Sequence, residues 1–193
     1  SGTKQSTIGY KGRIAINLKS SVRDSAHASA PWLAKNAIEE SSLFVNEIKA
    51  KLESGQENKT KGMMLTATIT EIKGGLSHNV TPRECDSTLD IRIPVGTSCK
   101  SVEEKISKVV KEISKKQQVE AFYSIIDETE PFEAEHNSPL VRALTLGILD
   151  IEKNRPTLIR KTGTGDMNVI GNKLSIPVVT YGPGDPHAAH TTD

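Results

Sequence analysis

The side chains able to do chemistry gather in four places. Near the end of the chain, "YGPGDPHAAHTTD" follows the apolar run "IPVVTY" and places His187 and His190 three residues apart. A ligand just past a strand end can be held rigidly, and imidazole suits zinc or cobalt. The whole chain has only five histidines, so this looks like half of a metal site with few ligand-type residues to complete it. Taken alone, a histidine near a terminus is an ordinary solvated side chain, and His187 is read as surface. His27, in "DSAHASAPW", stands on a loop between a strand pattern and a helix pattern, where it could simply sit near the start of the helix. Arg92, in "STLDIRIPV", falls on the non-core face of its strand and is available to an anion. The plainer alternative is an ion pair with Asp90 or Asp86. Asn79 occupies the loop before that strand. Lys161, Thr162, Gly163 and Asp166 lie in "RKTGTGDMN", whose glycines let the backbone approach a ligand closely. That stretch lacks the G-K-S/T ending of a phosphate loop.

Positioning these groups falls to a regular series of elements. "RIAINLKSSV" alternates, with Ile14, Ile16 and Leu18 on one face, and reads as a half-buried strand. "WLAKNAIEESSLFVNEIKAKL" has Ile38, Val45, Ile48 and Leu52 at helical spacing. "LTATITEI" alternates again, setting Leu65, Ala67 and Ile69 against threonines. "STLDIRIPV" puts Leu89, Ile91 and Ile93 toward the core and Asp90 and Arg92 away from it. A second helix carries Val102, Ile106, Val109, Val110 and Ile113 as one stripe, with Ser101 and Glu104 as a capping box. "VEAFYSII" closes the series as a strand. Strand, helix, strand, strand, helix, strand is the ferredoxin-like βαββαβ order, a two-layer α/β sandwich of the α+β type.

Beyond the acidic, proline-bearing "DETEPFEAEHNSP" the pattern changes. Ser138-Pro139 opens a third helix, and "PTLIRKTGTGDMNVIGN" and "IPVVTYGPGD" read as two short strands ending in glycine turns. One helix and two short strands make a poor independent core, so this part looks incomplete.

Composition narrows the partners. A net charge of +1 gives no electrostatic footprint for nucleic acid or an anionic membrane. No apolar run approaches the ~20 residues of a membrane span, and the start lacks a secretory apolar region. Only 4% of residues are aromatic, which leaves little for stacking RNA bases on a ferredoxin-like sheet. Cys85 and Cys99 are expected to be free, partly buried thiols, and the cytoplasm is the expected location.

Three stretches together resemble the co-catalytic metallopeptidase family of aminoacylases, glutamate carboxypeptidases and succinyl-diaminopimelate desuccinylases. "HASAPWLAKNAI" is similar to H-A/S-A/S-x-P-x-x-G-x-N-A-I. "GGLSHNVTPRECDSTLDIRIP" is similar to G-G-x-x-x-N-V-I-P followed by D-x-R, with Thr81 where an aliphatic residue is common. "KTGTGDMNVIG" with "GPGDPHAAHTTD" is similar to the T-S/G-D-M-N and A-H-x-x-D-E ending. The "KTGTGDMN" stretch most resembles the acetyl-lysine deacetylase subgroup, which frees lysine or ornithine from an acyl group or an amino-group carrier protein during biosynthesis. Gly165 departs from the serine usual there.

The resemblance implies a ferredoxin-like lid and dimerisation domain at residues 8–127 and part of an α/β catalytic domain at 128–193. It implies His190 as a ligand of one of two zinc or cobalt ions, and His27 as an oxyanion donor reaching into a partner's site. Asn79 and Arg92 would grip a substrate carboxylate, and Lys161, Thr162, Gly163 and Asp166 would line the substrate. The remaining ligands of the family precede the "SGT" with which the chain begins, and "HTTD" stops where the family continues with Glu. A fragment, inactive by itself, is therefore expected. The alternatives are a dimerisation module without chemistry or a related metallocarboxypeptidase or aminoacylase.

Overall fold

The computed structural model describes residues 5–182. Its larger unit is built from β2 (Gly12–Ser21), α1 (Ala37–Glu53), β3 (Thr66–Gly74), β4 (Glu84–Ile93), α2 (Cys99–Gln117) and β5 (Glu120–Thr129). The strands pair in the order β3-β4-β2-β5, antiparallel throughout. This is the βαββαβ sandwich expected from the alternating and helical periods. Ile14, Ile16 and Leu18 of β2 and Leu89, Ile91 and Ile93 of β4 are fully buried. Phe44, Val45 and Ile48 of α1 and Val102 and Ile106 of α2 join them in one core.

Several local expectations shift. Helix α1 starts at Ala37, because Asn36 has extended backbone and its side chain accepts from the N–H groups of Ile38 and Glu39. Trp32 and Leu33 fall in a separate, exposed 3-10 turn. Ile38 is half-buried rather than a core residue, and it packs over Gly74. Helix α2 is capped by Ser98, whose Oγ accepts from Ser101 N–H at 3.2 Å. Ser101 is thus the third residue of the helix and not its cap. Ile69, expected in the core, is 42% exposed. β3 is an edge strand, so Ile69 stands opposite the buried Leu89 but at the rim of the sheet. Cys85 and Cys99 are free, as expected, and fully buried.

A second sheet forms around β1 (Gln5–Tyr10). β7 (Thr157–Lys161) runs parallel along one edge of β1, while β6 (Phe132–Glu133) and β8 (Thr180–Tyr181) pair antiparallel in tandem along the other. Residues 8–10, expected in the first unit, therefore pair in the second sheet. α3 (Pro139–Glu152) and α4 (Asp166–Leu174) accompany it. Two of these elements escape the sequence patterns. "QSTIGY" holds one large aliphatic residue and becomes a strand through pairing with β7. "DMNVIGN", read as strand and turn, is helical, because Asn168 Oδ1 accepts from Gly165 N–H and closes the first turn. The second core is small: Ile8, Phe132, Ala134 and Val141. Leu146 and Ile151 of α3 and Leu174 of α4 stay 62%, 79% and 63% exposed. Among the described residues, this unit leaves much of its apolar surface uncovered. No helix among them is long and apolar enough to cross a membrane.

Candidate functional site

His27 is held where the chain leaves β2. It pairs with Val80 in an isolated antiparallel bridge. Ala28 N–H donates to Asn79 O and Thr81 N–H to Ala26 O, both at 2.8 Å. Ala26 N–H donates to Thr81 Oγ1, also at 2.8 Å. The threonine that departs from the family pattern thus earns a place by fastening the His27 segment to the loop before β4. His27 Nδ1 accepts from Ser29 N–H at 3.2 Å and lies 2.8 Å from Ser29 Oγ. An Nδ1 that accepts from a backbone amide carries no proton in the neutral ring, so Nε2 is then the N–H donor. Asn79 lies beside it, with Oδ1 accepting from Ser77 Oγ at 2.7 Å. That bond turns the amide and leaves its two N–H groups for another acceptor.

Arg92 is elsewhere. Its Nε and Nη2 donate to Asp90 at 2.6 and 3.2 Å, the intrastrand pair that the sequence left as the plain reading. Its Nη1 donates to Thr164 Oγ1 at 3.3 Å. Of five guanidinium N–H groups, two remain for a ligand. Asp90 is shared, since Arg13 Nε also donates to it at 2.7 Å, and Arg13 Nη1 donates to Asp127 at 2.6 Å. Two carboxylates thus fix two guanidinium groups on the open face of the sheet. Lys11, buried beneath, donates from Nζ to Met64 O at 2.6 Å. Burial chiefly, and the Arg92 charge next, hold its ammonium below the ordinary lysine value. Thr164 Oγ1 donates in turn to Lys11 O at 2.9 Å. Lys161, Thr162, Gly163 and Asp166 are exposed along this loop, and Lys161 lines a crevice of about 60 Å³ with Lys11, Met63 and Arg160.

The structure therefore makes two groups: His27 with Asn79, and Arg92 with the 161–166 loop. Arg92 lies eight residues along β4 from Glu84, about 26 Å from the His27 end at strand rise. One copy of the chain does not bring His27 and Asn79 together with Arg92. Thr164, which joins Arg92 to Lys11 O, is a residue of this loop that sequence reasoning did not single out. His187 and His190 lie outside the described residues.

The described residues offer one group of candidate metal ligands. Cys99, Glu128 and Glu130 bring ligand atoms within 4.8 Å of one another. Burial above all, then Glu130 and Glu128, pushes the Cys99 thiol up to about 12, so it stays protonated. Glu130 is already engaged, accepting from Cys99 N–H at 3.1 and 3.0 Å at the start of α2. This is a charged helix cap, and it does not fit a two-ion hydrolytic centre.

Comparison with known proteins gives this geometry a family. A model of the peptidase dimerisation domain of M20 enzymes matches residues 8–118. The LysW-lysine/LysW-ornithine hydrolase of Saccharolobus islandicus is 36% identical over 122 residues, covering 63% of this chain and 32% of its own length. The provisionally named LysW-lysine/LysW-ornithine hydrolase of Pyrobaculum aerophilum is 31% identical over 184 residues, covering 95% and 48%. The chain thus spans from a third to half of these relatives. Among solved structures, a Staphylococcus aureus tripeptidase superposes with a TM-score of 0.75 at 19% identity, covering 93% of this chain and 45% of the other. An M20 family metallo-carboxypeptidase from Sulfolobus solfataricus gives 0.70 at 16% identity, covering 91% and 51%. Those two likenesses concern the fold alone. With more than half of its length matched by the family model, the chain belongs to the M20 metallopeptidase family and carries its dimerisation domain.

Proposed function

We propose that this chain is the lid and part of the catalytic body of a metal-dependent amide hydrolase that frees lysine or ornithine from an N-acylated or carrier-protein-linked precursor. The hydrogen bond from Arg92 to Thr164 carries the reading. It aims a guanidinium with two spare donors at the loop bearing Lys161, Thr162, Gly163 and Asp166, a geometry suited to a substrate carboxylate. The names of the Saccharolobus and Pyrobaculum relatives support the substrate class.

The separation of His27 and Asn79 from Arg92 has a simple remedy in a two-fold axis. β3 is a free edge of nine residues with Ile69 and Ile72 exposed. Antiparallel pairing of β3 with its mate sets the Gly74 end of one copy beside Thr66 of the other, and Thr66 lies opposite Arg92 in the sheet. His27 and Asn79 of one copy then stand over the Arg92 loop of the other. There, His27 Nε2–H would donate to the oxyanion of a tetrahedral intermediate, a contribution of ~3 kcal/mol for a donor of this kind. Asn79 would share the substrate carboxylate with Arg92. Two zinc or cobalt ions, with His190 as one ligand, would supply Lewis acidity to the amide carbonyl and hydroxide near neutral pH.

The test grafts residues 5–182 in place of the corresponding stretch of the Saccharolobus islandicus relative. Hydrolysis of LysW-lysine by the graft, lost on Arg92→Ala, is expected. A folded, dimeric graft without turnover refutes the reading. The free β3 edge also favours a second reading, a dimerisation module with no chemistry, and the same dead graft would leave it standing.

A further inference from the structure

The two units are joined by two crossings that run side by side, Tyr10–Lys11–Gly12 outward and Thr129–Glu130–Pro131 back. A Cβ on Gly12 would lie 2.5 Å from Pro131 N and 2.6 Å from Thr129 O, so the crossings meet backbone to backbone. Asn168, at the start of α4, is 0% exposed. Its Nδ2 donates to Lys11 O at 3.1 Å on one crossing and to Glu130 O at 2.8 Å on the other. Its Oδ1 accepts from Gly165 N–H at 3.1 Å in the candidate substrate loop. Every polar atom of one buried side chain is thus spent on three different segments. Asn172 reaches the same crossing from the surface with two longer bonds, both 3.3 Å.

We propose that Asn168 is a positioning residue that locks the angle between lid and body to the shape of the 161–166 loop. Lys11 O receives both Asn168 Nδ2–H and Thr164 Oγ1–H. A swing of the lid about the two crossings therefore pulls on Thr164, the partner of Arg92. The loop and the lid move as one element. The mechanical coupling stands on these bonds alone, and only its consequence for substrate binding rests on the function proposed above.

The experiment uses the 193-residue chain with spin labels at Lys108→Cys on α2 and Glu152→Cys on α3. Both positions are exposed, and the native cysteines are buried and escape labelling. With the labelled chain diluted into excess unlabelled chain, so that a mate's spins do not contribute, double electron–electron resonance is expected to give one narrow distance distribution. Asn168→Asp keeps the volume and the Gly165 acceptor but loses both N–H donors, and it broadens the distribution roughly twofold or more. Asn172→Asp leaves the width unchanged. Circular dichroism checks that the helices persist; where Asn168→Asp loses them, Asn168→Ser, which adds no charge, is read instead. Amide exchange of the unsubstituted chain checks the coupling without a variant. Lys11 and Gly165 N–H are expected to share one opening step. An unchanged width in a folded variant, a broad distribution before substitution, or independent exchange of the two amides overturns the proposal. Because none of these readouts involves substrate, failure of the clamp and failure of the hydrolase reading are told apart.

Discussion

Replacing Glu130 by Gln tests how the βαββαβ unit is tied to its second helix. The Glu130 carboxylate accepts Cys99 N–H through both oxygens, at 3.1 and 3.0 Å, at the positive end of the 19-residue α2. Glutamine keeps an acceptor there but removes the charge. Charge–dipole interaction at a helix start is worth about 0.3–1 kcal/mol, and up to ~2 when partly buried. Ser98 still caps the helix, so a loss of about 1 kcal/mol at pH 7 is expected from urea unfolding followed at 222 nm. The same substitution acts on Cys99. Its thiol is pushed from 9.0 to about 12, by burial first and by Glu130 next. Between those values the folded chain keeps a proton that the unfolded chain has lost, so stability falls as pH rises through the window. Glu130→Gln lowers the thiol pKa partway and makes that fall shallower. In the unsubstituted chain at pH 8, a pKa of about 12 leaves roughly one thiolate in ten thousand. Alkylation of Cys99, followed by peptide mass spectrometry, should go no faster than opening of the fold permits. Ready alkylation under native conditions, or a Glu130→Gln chain as stable as the parent, would refute the reasoning.

Other expectations follow from packing and edges. A Cβ on Gly171 would lie 2.1 Å from the Phe132 ring, so Gly171→Ala should destabilise the second unit by about 1–3 kcal/mol in thermal or urea melts. Gly147→Ala on α3, which meets nothing within 4 Å, should be neutral or stabilising by up to ~1 kcal/mol. Ile72→Lys places a solvated charge in the proposed β3 seam, and sedimentation at micromolar concentration should turn dimer into monomer; a dimer indifferent to it points to another interface. The chain alone, given zinc or cobalt and N-acetyl-lysine, should show no hydrolysis above buffer, and metal-stimulated turnover would contradict its proposed dependence on the remaining half.

Much of the βαββαβ unit was legible because burial there follows strict periods. In β4, Leu89, Ile91 and Ile93 point in and Asp90 and Arg92 point out, as alternation demands. The α2 stripe from Val102 to Ile113 is buried throughout. What the sequence hid depends on pairing partners far along the chain. β1 has a single large aliphatic residue, Ile8, and owes its conformation to β7, some 150 residues away. α4 was obscured by the glycines that flank it, since the side chain closing its first turn is an asparagine inside the helix and not a serine or aspartate before it. Ile69 misled because alternation cannot tell an edge strand from a central one. The site divided in the same way. Motif spacing picked out Arg92 and the 161–166 loop, but the distance from His27 to Arg92 appears only once β4 is laid out as a straight strand.

The composite site is tested most directly by mixing two inactive grafts on the Saccharolobus islandicus scaffold, one His27→Ala and the other Arg92→Ala. If His27 of one copy serves Arg92 of its mate, each homodimer is dead, whereas every mixed dimer keeps one intact site. Random exchange should then restore about a quarter of the parent activity. Mixed dimers, verified by mass, that stay as inactive as either parent would contradict a site shared across the two-fold.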